Sequence, residues 1–263
     1  MQTELNPAGQ DSLALPVREV ATDAPWNWLA AGWRDLWRAP HVSLVCGIAF
    51  SLISFAITYG LFAIGASALV LPLAAGFMLV GPLLAVGLYE VSRRLEAGEP
   101  VRLVPTLLAW RRAPTQLALM GVVLMLFLLA WVRVATLIFA IFFGLGTTPA
   151  PAELVTLVAF TPDGLVFLAV GTLVGAILAG IVFMLSVVAI PLILERDTFV
   201  LAAIATSMAA TLRNPAPMLL WGFLISLFTA AGIVTAYLGM VIFFPVIGHA
   251  TWHAYRAIVA TEE

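Results

Sequence analysis

His249 and His253 lie one helical turn apart in the closing stretch PVIGHATWHAYRAIV, Pro245 to Val259. Positions i and i+4 share a helix face, so both imidazoles can reach one metal ion. The motif is H-A-T-W-H, without the glutamate that serves as general base in the H-E-x-x-H pattern. Two ligands also leave zinc short of its usual three or four. His41 and Glu90, expected at the same depth of the membrane, could complete a set with them. The other reading is that the histidines hydrogen-bond within a helix bundle, or face water beside Trp252 and Tyr255. Ionisable residues inside a membrane mark functional candidates, and both readings stay open at the level of sequence.

Arg133 is another such residue, 17 positions past Gln116 in an apolar run. At 1.5 Å per residue that is ~26 Å along a helix, in the outer part of a core ~30 Å thick. It is expected to snorkel to the outer headgroups or to pair with Glu153 or Asp163. Glu90 has the i,i+3 and i,i+4 spacing to pair with Arg93 and Arg94 at a helix end. No G-x-S-x-G, phosphate-cradling loop or paired carboxylates are present, so nothing points to a soluble-type enzyme.

The elements that position these residues follow from composition. The chain has 263 residues, 63% hydrophobic and 10% charged, against roughly 25% charged in a soluble domain. Its surroundings must be largely lipid. A net charge of −2 leaves no nucleic-acid footprint. One cysteine, Cys46, excludes an internal disulfide. Residues 1–24 are polar, lack the pattern of a signal peptide, and read as a disordered cytoplasmic tail. The apolar runs are His41 to Tyr89, Gln116 to Phe143, Gly164 to Leu194 and Ala216 to Tyr255. With turns at Gly65-Ala66-Ser67 and near Tyr237 to Gly239, they predict six spans of ~20 residues. The connections carry arginine on one side only, which predicts both termini in the cytoplasm.

Three pieces repeat: DLWRAP, AWRRAP and TLRNP. Arg38 and Pro40, Arg112 and Pro114, Arg213 and Pro215 stand two residues apart, and each proline opens an apolar span, where its missing N–H leaves nothing unpaired. Each follows a short amphipathic stretch. In the first, Trp26, Leu29, Ala30, Trp33, Leu36 and Trp37 share a face, with Arg34 and Asp35 elsewhere. Trp26, Trp33, Trp37 and Trp110 are expected at headgroup depth. The fold predicted is all-α: six transmembrane helices as three pseudo-repeated hairpins, each preceded by a cytoplasmic interfacial helix. The repeats cover about 25–95, 103–196 and 197–259, with 260–263 a cytoplasmic C-terminus. Glycines at 60, 65, 76, 81, 171, 175 and 180 suggest close helix packing.

The pieces WLAAGWRDLWRAP, PLAAGFMLVGPLLAVGLYEVSRRLE and PVIGHATWHAYR resemble a family of bacterial integral membrane proteins, domain of unknown function 2189, with GHATWHAYR as the C-terminal signature. The resemblance covers about residues 25 to 259. It implies a multi-span inner-membrane protein and brings no catalytic residues. The function expected is a non-enzymatic bundle for membrane organisation, complex assembly, or passage of a small or lipidic substrate, without a cofactor. Its partners would be the bilayer and either a second copy or another membrane protein. The alternative is a metal- or haem-binding protein of the respiratory chain, using His249 and His253.

Overall fold

The structure is a computed structural model that describes residues 13–144 and 149–260. The first twelve residues of the expected tail, residues 145–148 and residues 261–263 lie outside the described residues. The described chain is an all-α, polytopic membrane protein. Five segments are long and apolar enough to cross a bilayer: Pro40–Ala63, Ser67–Glu96, Pro114–Phe143, Pro162–Arg196 and Pro215–Val234.

In chain order the helices are α1 (Ala24–Arg38), α2 (Pro40–Ala63), α3 (Val70–Leu84), α4 (Val86–Glu96), α5 (Leu103–Leu107), α6 (Pro114–Phe143), α7 (Pro151–Ala159), α8 (Pro162–Ser186), α9 (Ala189–Arg196), α10 (Val200–Arg213), α11 (Pro215–Val234) and α12 (Met240–Ile258). Prolines 40, 114 and 215 stand in the first turns of α2, α6 and α11, where φ is pre-set and no intrahelical bond is lost. Pro82, near the end of α3, precedes the interruption at Ala85. Pro191 follows the interruption between α8 and α9. A proline removes the bond to the carbonyl four residues back. At the second break the Val188 amide is satisfied by Ser207 Oγ, 3.1 Å away.

A sixth span is not established. α12 has 19 residues and carries His249, His253 and Arg256. It is the most enclosed of the long helices and packs against α1, α2, α4, α9 and α11. Glycines allow α1 and α2 to cross α12 closely. A Cβ on Gly32 would lie 2.7 Å from the Ala250 amide nitrogen and the Val246 carbonyl oxygen, and one on Gly47 would collide with the Val241 carbonyl. Of the glycines expected to pack closely, Gly76 meets Leu128 and Gly175 meets Trp131, whereas Gly60, Gly65, Gly81, Gly171 and Gly180 face open space.

The amphipathic helices leave the tryptophans expected at headgroup depth outside the bundle. In α1 the buried residues are Ala24, Pro25, Trp28, Gly32, Asp35 and Leu36. Trp26, Trp33 and Trp37 are exposed. In α10, Val200, Ala203, Thr206, Ser207 and Ala210 are buried while Leu201 and Leu212 are exposed. Around α5, Thr106 and Ala109 are buried and Trp110 is exposed. Small and short polar side chains let helices approach in an apolar solvent, and the bulky face is left for lipid.

Part of the segment expected to be disordered is tied down. Val17 pairs with Val259, the Arg18 amide donates to the Ile258 carbonyl, and the Leu15 amide donates to Thr206 Oγ1. Asn214 accepts from the Val20 amide and donates to the Arg18 carbonyl. These bonds satisfy backbone groups that the residues' polarity alone assigns to water.

Candidate functional site

Two features stand out: a buried polar chain on α12, and an apolar cavity beside it. The polar chain begins at His249, which is 0% exposed. Its Nε2 lies 2.9 Å from Ser43 Oγ of α2, and its Nδ1 lies 2.9 Å from Ser92 Oγ of α4. Ser92 lies close enough to Asp35 of α1 to help lower its pKa. A hydroxyl can donate or accept, so either neutral tautomer of His249 satisfies both ring nitrogens. His253 Nε2 donates to Asp35 Oδ2 at 2.8 Å.

Asp35 is 3% exposed. Burial pushes its pKa up, but the hydrogen bonds from His253 and Ser92 and the nearby imidazoles outweigh that, and it sits below the ordinary carboxylate value. The chain therefore ties α1, α2, α4 and α12 together around one buried charge.

The expected metal set is not assembled. Both nitrogens of His249 are engaged with serines and Nε2 of His253 with Asp35. Glu90, 1% exposed, is held by Arg93 Nε at 2.8 Å and Arg94 Nε at 2.6 Å, with Arg112 at 3.8 Å. His41 is exposed on α2. Among the described residues no group of three or more His, Cys, Asp or Glu side chains could hold a metal ion. The metal or haem reading finds no support there.

Arginines gather at one end of the bundle. Arg256 reaches Glu96 at 3.0 Å and Glu195 at 2.9 Å. Trp252 Nε1 donates to Glu96, and the Tyr255 hydroxyl donates to Glu195. Among the repeated residues, Arg112 approaches Glu90 and Arg213 pairs with Glu19 at 3.2 Å, while Arg38 is exposed. Beyond the end of α4, the exposed Glu99 is held below its usual carboxylate value by its hydrogen bond from Arg93. Arg133 is exposed on α6 and makes no ion pair among the described residues. Glu153 instead accepts from the Ala150 amide at the start of α7. α6 has 30 residues, so it is about 45 Å long and outreaches the hydrocarbon core.

The cavity has a volume of about 1120 Å³, above the roughly 300–1,000 Å³ of drug-sized sites. Its walls come from α2, α3, α4, α8, α10, α11 and α12, with no charged side chain among the lining residues. Ile177 of α8 and Leu219 and Phe223 of α11 line it and are exposed on the bundle's outside. The cavity therefore opens sideways, between helices, where lipid chains would lie.

Sequence reasoning missed Asp35, Ser43 and Ser92 as members of the chain. One signal was present: Trp28, Gly32 and Asp35 share a face of α1 opposite Trp26, Trp33 and Trp37. Serines in apolar helices give no comparable mark.

No curated protein and no solved structure matches the chain. A family model matches its middle, and the GHATWHAYR stretch and helices α1, α2 and α10–α12 lie outside the matched residues. Residues 70–195, from α3 through α9, are similar to the family described as "Predicted integral membrane protein (DUF2189)".

Proposed function

We propose that this protein is a non-enzymatic helical bundle of the bacterial inner membrane that takes a lipidic molecule into the cavity between α3, α8, α11 and α12. The observation that carries this reading is the cavity, large, apolar and open to the side. A charged or strongly polar solute would find no partner among its lining residues, and burying it unpaired would be costly. A hydrocarbon chain has the matching surface.

The plan is three units, each an interfacial helix followed by a hairpin: α1 with α2 to α4, α5 with α6 to α9, and α10 with α11 and α12. In this reading α12 is a sixth span, and its histidines face the bundle, not lipid. Both termini lie in the cytoplasm, at the arginine-rich end. The buried chain through His249 is structural and locks α1 onto the bundle. Arg133 snorkels to the opposite headgroups.

Gly180 lines the cavity, and a Cβ there would meet nothing within 4 Å. Gly180→Trp should fill the space without disturbing the helices. Organic extraction and mass spectrometry of the purified protein should find a tightly held lipid in the wild type and much less in the variant. Equal lipid content in the two proteins would contradict the proposal.

A further inference from the structure

We infer that the cavity's occupant carries a neutral carbonyl-type oxygen on a long hydrocarbon body, and that the Tyr89 hydroxyl holds that oxygen. The inference rests on the lipidic reading above and names the ligand class for the same site.

Tyr89 belongs to α4, is 2% exposed and lines the cavity. Its hydroxyl has no hydrogen-bond partner among the described residues, and unlike the Trp221 indole nitrogen it is not fully enclosed by protein atoms. A phenol that faces an apolar space without a partner is unfavourable, so such groups usually find one. The other hydroxyls at the cavity are mostly spent. Ser54, Ser186, Thr211, Ser226 and Thr251 each donate to a carbonyl of their own helix, and Tyr237 bonds Thr58. Thr229, half-buried toward the far end of α11, is the other hydroxyl left over. Tyr89 and Thr229 are thus the two unspent donors of an otherwise apolar space, and Tyr89 is the more deeply buried.

Its position orients the ligand. Tyr89 precedes Glu90, around which Arg93, Arg94 and Arg112 gather. Thr251 and Leu212 line the cavity near the same arginine-rich end. The oxygen of the ligand therefore sits at that end and the hydrocarbon extends toward Thr229 and Ile233. The absence of charge among the lining residues selects a neutral acceptor. Two sources share that chemistry: the acyl ester of a glycerolipid and the ring carbonyl of an isoprenoid quinone.

The test compares binding of tritiated hexadecane, methyl palmitate and decylubiquinone to the full chain in detergent, by scintillation proximity. Wild type, Tyr89→Phe, Thr229→Val and Gly180→Trp are measured side by side. One net hydrogen bond predicts that an oxygen-bearing probe loses about 2- to 10-fold affinity in Tyr89→Phe, with hexadecane unchanged. A larger loss for methyl palmitate supports an ester ligand, and a larger loss for decylubiquinone supports a quinone. If all three probes bind wild type and Tyr89→Phe alike and Gly180→Trp abolishes binding, the cavity reading stands and the role of Tyr89 is overturned. A loss seen only in Thr229→Val also overturns it. If no probe binds, or Gly180→Trp binds them all as wild type does, the cavity reading fails and this inference with it.

Discussion

At the scale of single residues, the buried chain makes two predictions. His249→Ala removes the partner of both Ser43 and Ser92. Each hydroxyl left unsatisfied costs about 1–3 kcal/mol, so the variant should melt well below wild type in detergent, with its metal content unchanged. The second prediction concerns pH. Asp35 lies below its ordinary value of 3.8 in the folded protein. A carboxylate with a lowered folded pKa contributes stability that is complete above the unfolded value and fades as pH falls through the folded one. The melting temperature should therefore drop as pH is lowered below about 3.8, and Asp35→Asn should flatten that part of the curve. A variant with the same acid dependence as wild type would show that Asp35 does not carry it. The histidines were legible in the sequence as polar residues inside an apolar block, but their partners were not. Ser43 lies 206 positions from His249, and no local pattern reports a contact across that distance.

At the scale of elements, the short helices were legible as amphipathic, but the residues that pack them onto the bundle were not. The sequence shows large apolar residues against polar ones, which in water would put the large ones inside. In a membrane interface the bulky face meets lipid, and Gly32, Ala203 and Ala210 do the packing. Trp26, Trp33 and Trp37 are all exposed, so their contribution depends on the lipid around them. Replacing the three together by serine should therefore lower thermal stability more in lipid nanodiscs than in detergent micelles. Unchanged stability in both would remove the anchoring role. Glycines give a sharper contrast. Gly47→Ala places a methyl against the Val241 carbonyl of α12 and should destabilise the bundle by prising α2 from α12. Gly171→Ala meets nothing within 4 Å and should be neutral or slightly stabilising, because alanine is the better helix former by ~1 kcal/mol. Thermal unfolding of the two variants side by side checks both. The G-x-x-x-G spacing at 171–175 did not separate its two glycines, since only Gly175 has a neighbouring side chain against it.

At the scale of the whole molecule, the long apolar helices were the most legible feature. Length and hydrophobicity alone locate the five segments from Pro40 to Val234. The last helix resisted, because α12 is short and its polar residues are covered by the bundle. The cavity was not legible at all. It arises where helices from α2 to α12 fail to close on one another, which depends on tilt and register as well as on sequence pattern. A reporter fused after Glu263 should give a cytoplasmic signal, and a periplasmic one would contradict α12 as a span. The central claim is that the space bounded by α3, α8, α11 and α12 belongs to a lipidic molecule. The most direct test is a cryo-electron microscopy map of the protein in a lipid nanodisc, with an antibody fragment added for size. Elongated density inside the cavity, beginning beside Tyr89, is the expected result. A closed interior, with α8 and α11 packed against each other and no density between them, would contradict it.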